Sequence, residues 1–177
     1  MANSPTRARD ASSDFVTRLV ARYVDRYSWM DNQATEFFLR FAAAQSARAA
    51  VTARYFQSRG MDRTIGRYAV LRVLFFAPEN KMALSDISSD MDVTASNITV
   101  LVDGLVKDGL VIRIPNPTDK RSTWVQLTRE GGELCSHMVP GMATLNEELL
   151  KGFTEEEKIF LNDAMKRLKA NAEAAFF

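Results

Sequence analysis

The chain has 177 residues, 46% of them hydrophobic and 25% charged, with a formal net charge of +1. That length suits one ordinary domain or a small domain with appendages, and the composition is that of a core-forming chain, which excludes disordered, collagenous and low-complexity classes. One cysteine, Cys135, and one histidine, His137, exclude a disulfide scaffold, a cysteine-rich metal site and paired-histidine zinc chemistry, and argue against a Ser-His-Asp hydrolase. No catalytic residue, metal or cofactor is expected. The longest apolar stretch, Ala69 to Ala77, is broken by Arg72, and the opening MANSPTRARDASSD lacks the apolar centre of a secretion signal. The expectation is a soluble, cytoplasmic, non-enzymatic protein with no membrane partner.

The distribution of charge says more than its total. Residues 1–60 carry 9 basic and 5 acidic residues, residues 61–81 carry 4 and 2, residues 82–128 carry 4 and 6, and residues 129–177 carry 6 and 9. No segment is broadly basic, so nucleic-acid binding would have to rest on a local patch.

Residues 1–13 are polar and read as a frayed terminus. Phe15, Val16, Leu19, Val20, Tyr23, Val24 and Tyr27 recur at helical spacing, which predicts an amphipathic helix over 14–30. Asp31-Asn32 ends it and caps a long helix over about 33–58, with Phe38, Phe41, Ala42, Gln45, Ala49 and Phe56 on one face and Gly60 as its stop. Thr64 caps a shorter helix to Phe76 carrying Ile65, Tyr68, Ala69, Leu71, Val73 and Leu74, and Pro78-Glu79-Asn80 turns it off. After an extended stub, Met82-Ala83-Leu84, Ser85 caps a short helix to Met91 with Ile87 and Met91 as its buried pair. Asp92-Val93-Thr94 is a tight turn, and Thr94 caps a longer helix that Gly109 ends after Asp108.

The apolar period then changes to two. Residues 110–114 and 122–127 are rich in β-branched side chains and predict a two-stranded hairpin with a polar tip, Pro115 to Arg121. Thr128 caps a helix of about 20 residues, kinked or interrupted at Pro140-Gly141. Thr154-Glu155-Glu156-Glu157 is a capping box for a final helix with Phe160, Leu161, Ala164, Met165 and Leu168 on one face. The count is seven helices and one hairpin, a mainly α fold with a small β-hairpin wing.

A short helix, a tight turn, a longer helix and a hairpin in that order form a winged helix-turn-helix layout. Ala95, Ile98, Leu101, Val102 and Leu105 form the apolar stripe that seats the second helix, leaving Ser96, Asn97, Thr99, Val100 and Asp103 pointing outward. Short polar side chains near a helix N-terminus let that helix approach base edges closely in a major groove. Its unpaired N–H groups, with Thr94 at the cap, offer partial positive charge to a phosphate. Lys120 and Arg121 sit at the hairpin tip, within reach of a neighbouring minor groove. Lys107, Arg113, Lys120 and Arg121 are the only cations of the motif, so one copy would bind weakly and a dimer is needed.

The run from Leu84 to Gly132 resembles the MarR family of bacterial regulators. The resemblance is strongest over Asp119-Lys120-Arg121, then Val125-Gln126-Leu127-Thr128 and the glycines that follow, and Leu105-Val106-Lys107-Asp108-Gly109-Leu110-Val111 is similar to the family's exit from its recognition helix. The resemblance implies a homodimer, with a DNA-binding lobe over 61–128 flanked by dimerisation helices over 1–60 and 129–177. Two such lobes would read a palindromic operator on double-stranded DNA, most simply as a repressor. It implies Arg121 as the wing arginine entering the minor groove, Asp119 as the acid that holds it, and Ser96, Asn97, Thr99 and Val100 as outward positions of the recognition helix. Val100 and Gly104 stand where relatives often carry arginine. The helix over 14–30 is longer than the common pattern.

The resemblance also implies a small aromatic or phenolic effector between the layers. Arg72 would pair its carboxylate and Tyr68 would stack on its ring, one turn apart on the same side of their helix, with Trp29 and Phe41 as further candidates. Tyr23, Tyr27, Trp29, Phe37, Phe38 and Phe41 read as core or dimer interface rather than a ligand cage. Cys135 reads as an inert half-buried thiol and His137 as an ordinary helix residue. The competing reading is a helical adaptor that uses the winged lobe for protein-protein interaction, which the acidic balance of 82–128 favours. A redox switch on Cys135 is a third.

Overall fold

The computed structural model describes residues 14–59, 65–116 and 123–175. The chain divides into two compact units, residues 1–63 and 64–177.

The first unit is a helical pair, α1 (Phe15–Arg26) and α2 (Asn32–Ser58). α1 stops short of the residue 30 expected from its apolar spacing. Tyr27 leaves the helix at φ −134° and ψ 77°, and the N–H of Met30 turns back to the Tyr27 carbonyl. Asp31 then caps α2 as expected, accepting from the Ala34 N–H at 3.0 Å. Arg40 ties the pair together: it donates to Asp14 at 2.7 Å, to Glu36 at 2.7 Å and to the Thr17 hydroxyl at 3.0 Å. Those donors hold the Asp14 carboxyl below its ordinary value. The long face expected on α2 is not a core of this chain. Of Phe38, Phe41, Ala42, Gln45, Ala49 and Phe56, only Phe56 is buried, and Trp29 before α2 is 82% exposed.

The second unit carries the winged layout. Its elements are α3 (Ile65–Phe76), β1 (Lys81–Ala83), α4 (Leu84–Asp90), α5 (Ala95–Lys107), β2 (Val111–Pro115), β3 (Thr123–Leu127), α6 (Arg129–Leu149) and α7 (Glu155–Ala174). The stub before α4 is a strand, so the hairpin is part of a three-stranded antiparallel sheet in the order β1-β3-β2. Met82 faces Val125 across one ladder and Val111 faces Leu127 across the other, which brings the inner face of the sheet onto the helices. Three residues of extended chain have too little periodicity to announce a strand, and their ladder bonds come from a segment some forty residues away.

One core serves α3, α4, α5, the sheet and α6: Val70, Leu71, Leu74, Ile87, Ile98, Val102, Leu105, Leu110, Val111, Val125, Leu127 and Cys135. Met91 packs at its edge, so Ile87 alone is the fully buried member of the expected α4 pair. α4 begins at Leu84 with Ala83 at its N-cap, whereas Ser85, expected to cap it, lies inside the helix and donates to Asp86. Pro140 does not interrupt α6, which runs unbroken for 21 residues. α7 opens on the expected capping box, Thr154 accepting from the Glu157 N–H and Glu157 accepting from the Thr154 N–H. It buries no residue, and Ile159 and Phe160 are among the most exposed apolar side chains described.

Candidate nucleic-acid interface

The recognition helix, α5, is placed by three local devices. The first is the turn before it. Asp92 adopts φ 53°, and the Ser88 hydroxyl donates to the Val93 carbonyl at 2.6 Å while the Val93 N–H bonds back to Ser88. Lys169 of α7 pairs with Asp92 at 2.9 Å and holds its carboxyl below the ordinary value. The second is the cap: Thr94 accepts from the Asn97 N–H and lies 3.1 Å from the Ser96 hydroxyl. The third is the seat, since Ile98, Val102 and Leu105 are each wholly buried.

The far end of α5 closes in a Schellman turn. Gly109 takes φ 71°, the Leu110 N–H reaches the Leu105 carbonyl and the Gly109 N–H reaches Val106. Thr128 locks that turn to the start of α6. Its hydroxyl donates to the Gly109 carbonyl at 2.8 Å and accepts from the Gly131 N–H at 3.0 Å, and its own N–H donates to the Leu110 carbonyl at 3.0 Å. The threonine and glycine that follow β3 are thus the joint that fixes the recognition helix against α6.

Held this way, α5 presents Ser96, Asn97, Val100 and Asp103 to the outside, with Val100 68% exposed. Thr99 is half-buried and its hydroxyl bonds back to the Ala95 carbonyl at 2.9 Å, so it is partly engaged within the helix. Ala95, expected in the apolar stripe, is exposed; it is the first helical residue and lies beyond the edge of the core. A shallow groove of about 700 Å³ runs along the turn, lined by Ser85, Ser88, Ser89, Thr94 and Asn97 among others. Its hydroxyl-rich wall was not singled out from the sequence because the serines belong to α4, one helix earlier.

The structure adds an ion pair the sequence did not announce. Arg113 of β2 reaches Asp103 of α5 at 2.7 Å, so this cation braces the wing strand against the recognition helix. Asp119, Lys120 and Arg121 lie outside the described residues, as do Gly60 and Thr64. The aromatic candidates fall in separate surroundings. Trp29 packs edge-on to Tyr27 and Phe41 stacks on Phe37, both in the first unit. In the second unit, Tyr68 is buried at 6% exposure, while Arg72 is exposed and lines a depression of about 370 Å³ with Phe76, Pro78, Met82 and Asp90. Tyr68 and Arg72 are one turn apart on the unbroken α3, and Tyr68 is not part of that lining.

Cys135 is fully rather than half buried, with its thiol directed at the Leu71 carbonyl 3.7 Å away, and burial pushes its pKa up to about 11. Because burial disfavours the thiolate, the reactive form is scarce at any pH well below that value. Alkylation by iodoacetamide at pH 8 is therefore expected to be slow in the folded protein and fast in denaturant; equal rates would show an accessible thiol.

A capped helix-turn-helix with a three-stranded wing sheet defines a winged helix-turn-helix protein. Residues 64–123 match the model of the MarR family. The chain is similar to the HTH-type transcriptional repressor YetL of Bacillus subtilis, 28% identical over 153 residues that span 84% of this chain and 90% of that protein. Its fold is similar to that of Sco3205, a MarR family transcriptional regulator from Streptomyces coelicolor solved in complex with DNA (TM-score 0.75, 22% identity, 81% of this chain and 90% of the other). It is also similar to Bordetella bronchiseptica BpsR, whose DNA binding is regulated by 6-hydroxynicotinic acid (TM-score 0.66, 18% identity, 81% and 95%).

Proposed function

We propose that this chain is a DNA-binding transcriptional regulator of the MarR type, a repressor that acts as a homodimer on a palindromic operator. The observation that carries this reading is the outer face of α5. Its base is locked by a wholly buried seat and its cap by Thr94, while Ser96, Asn97 and Val100 stand exposed at the end that enters a major groove. These residues, with Thr94 and Thr99 beside them, would supply base readout. Asp119, Lys120 and Arg121 would supply the wing contact, and phosphate contacts would supply most of the affinity.

The exposed apolar residues of the helices over 1–60 and 129–177 support assigning both regions to dimerisation, since unpartnered apolar surface of that kind marks an interface. The DNA complex of Sco3205 and the repressor description of YetL support the regulatory role. BpsR supports a small aromatic effector, which would act by changing the separation of the two recognition helices. No described helix is long and apolar enough to cross a membrane. A cytoplasmic, non-enzymatic protein fits this role.

The test is a gel-shift titration at fixed salt. Arg121→Ala is expected to weaken operator binding at least tenfold, about 1.4 kcal/mol, while the variant remains a dimer by gel filtration. Unchanged affinity would contradict the wing assignment. Binding should also fall steeply with added salt through counterion release, which an apolar protein-protein interface would not do.

A further inference from the structure

The outward ridge of α5 has a gap. Val100 and Lys107 are both exposed on this face, and Gly104, four residues after one and three before the other, stands between them with no side chain of its own. The gap is filled from another helix. A Cβ built on Gly104 would lie 2.3 Å from Nη2 of Arg67, 2.6 Å from its Cζ and 2.8 Å from its Nε. Arg67 belongs to α3, and its guanidinium therefore occupies the space over the recognition helix that a side chain at the glycine would take. Its other side is anchored, because Nη1 donates to Asp108 at 3.2 Å. The preceding residue helps bring it there: Gly66 lets Leu101 approach to 3.2 Å of where a Cβ would be, so α3 and α5 sit close enough for the arginine to span them.

This placement matters because the ridge is poor in positive charge. Lys107 is the only cation of α5, and Arg113 is engaged with Asp103. A guanidinium carries five donors in a fixed plane and suits a phosphate better than a lysine does. With Nη1 on Asp108, Nη2 and Nε lie against the notch at Gly104, and the Arg67 side chain keeps 31% of its surface exposed. We propose that Arg67 is a DNA-phosphate contact of this protein, delivered onto the recognition helix through the notch at Gly104 and held in place by Asp108. It deepens the DNA-binding reading and rests on it.

The test uses the full-length protein and a fluorescently labelled duplex of arbitrary sequence, because phosphate contacts need no operator. Affinity is measured over a range of salt for wild type, Arg67→Gln and the double variant Arg67→Ala/Gly104→Arg. Each lost phosphate contact lowers the salt slope by about 0.9, so a dimer of Arg67→Gln should lose about 1.8 and bind about tenfold more weakly at low salt. The double variant, which returns a guanidinium to the ridge from α5 itself, should recover most of the slope. Circular dichroism melting confirms that each variant is folded. A folded Arg67→Gln with the wild-type slope overturns the proposal and leaves the DNA-binding reading standing, and so does a double variant that recovers nothing. A wild-type protein with no salt-dependent binding to any duplex overturns both.

Discussion

Gly131→Ala is expected to destabilise the protein by about 3 kcal/mol, the upper end of the cost of overpacking, whereas Gly132→Ala is expected to stabilise it by about 0.5 to 1 kcal/mol. The two glycines are adjacent in α6 and differ only in what surrounds them. A Cβ on Gly131 would lie 2.1 Å from the Leu110 carbonyl oxygen and 3.1 Å from its carbon, and these are backbone atoms that no rotamer change can move. Relief requires α6 to back away from the end of the recognition helix. That motion breaks the Thr128 bonds to Gly109 and Leu110, so the loss includes two hydrogen bonds as well as the contact. A Cβ on Gly132 meets nothing within 4 Å, and alanine there removes only the entropic cost of a glycine in the first turn of the helix. Urea denaturation of the two variants, with Cm compared at constant m, reads both signs. Equal effects would mean that the joint between α5 and α6 is looser than these distances require.

Ile98→Ala should cost about 3 to 4 kcal/mol, within the range for emptying a large aliphatic site in a packed core. Ile98 has no exposed surface and lies in the one cluster shared by α3, α4, α5, the sheet and α6. The cavity opens beneath the first turns of the recognition helix, so DNA affinity should fall along with the thermal midpoint. Val100→Ala on the same helix is the contrasting case. Its side chain is 68% exposed, so stability should stay within about 0.5 kcal/mol while the affinity for DNA changes. Calorimetry paired with a binding titration separates the two: an Ile98→Ala variant with an unchanged midpoint would show that the helix is not seated where the core places it.

The seat of α5, its threonine cap, its glycine stop and the capping box of α7 could all be read in the sequence because each depends on near neighbours. Apolar residues three and four apart must fall on one face, and a hydroxyl at an N-cap finds the N–H three residues on. Other features depend on distant segments. The strand status of Lys81–Ala83 required the partner at Thr123–Leu127. The spacing of Tyr68 and Arg72 put them on one side, yet one is buried and the other is at the surface, because the neighbours of α3 cover only part of that side. Pro140 reads as a kink or an interruption, and α6 runs through it without interruption. On its outer apolar stripes the sequence could say that Phe38 and Phe160 were apolar and periodic, but not that this chain alone leaves them exposed.

By itself the amino-acid sequence determined the order of elements, the helix-turn-helix and its outward polar face, and with them the class of protein. Helical and strand periods, caps and turns act over a few residues and need no fold to be legible. Only the tertiary structure decided what Gly104 and Gly131 are for, which cations brace and which remain at the recognition helix, and how deep Cys135 lies. Those properties come from close approach between segments far apart in the chain, and close approach leaves no period in a sequence.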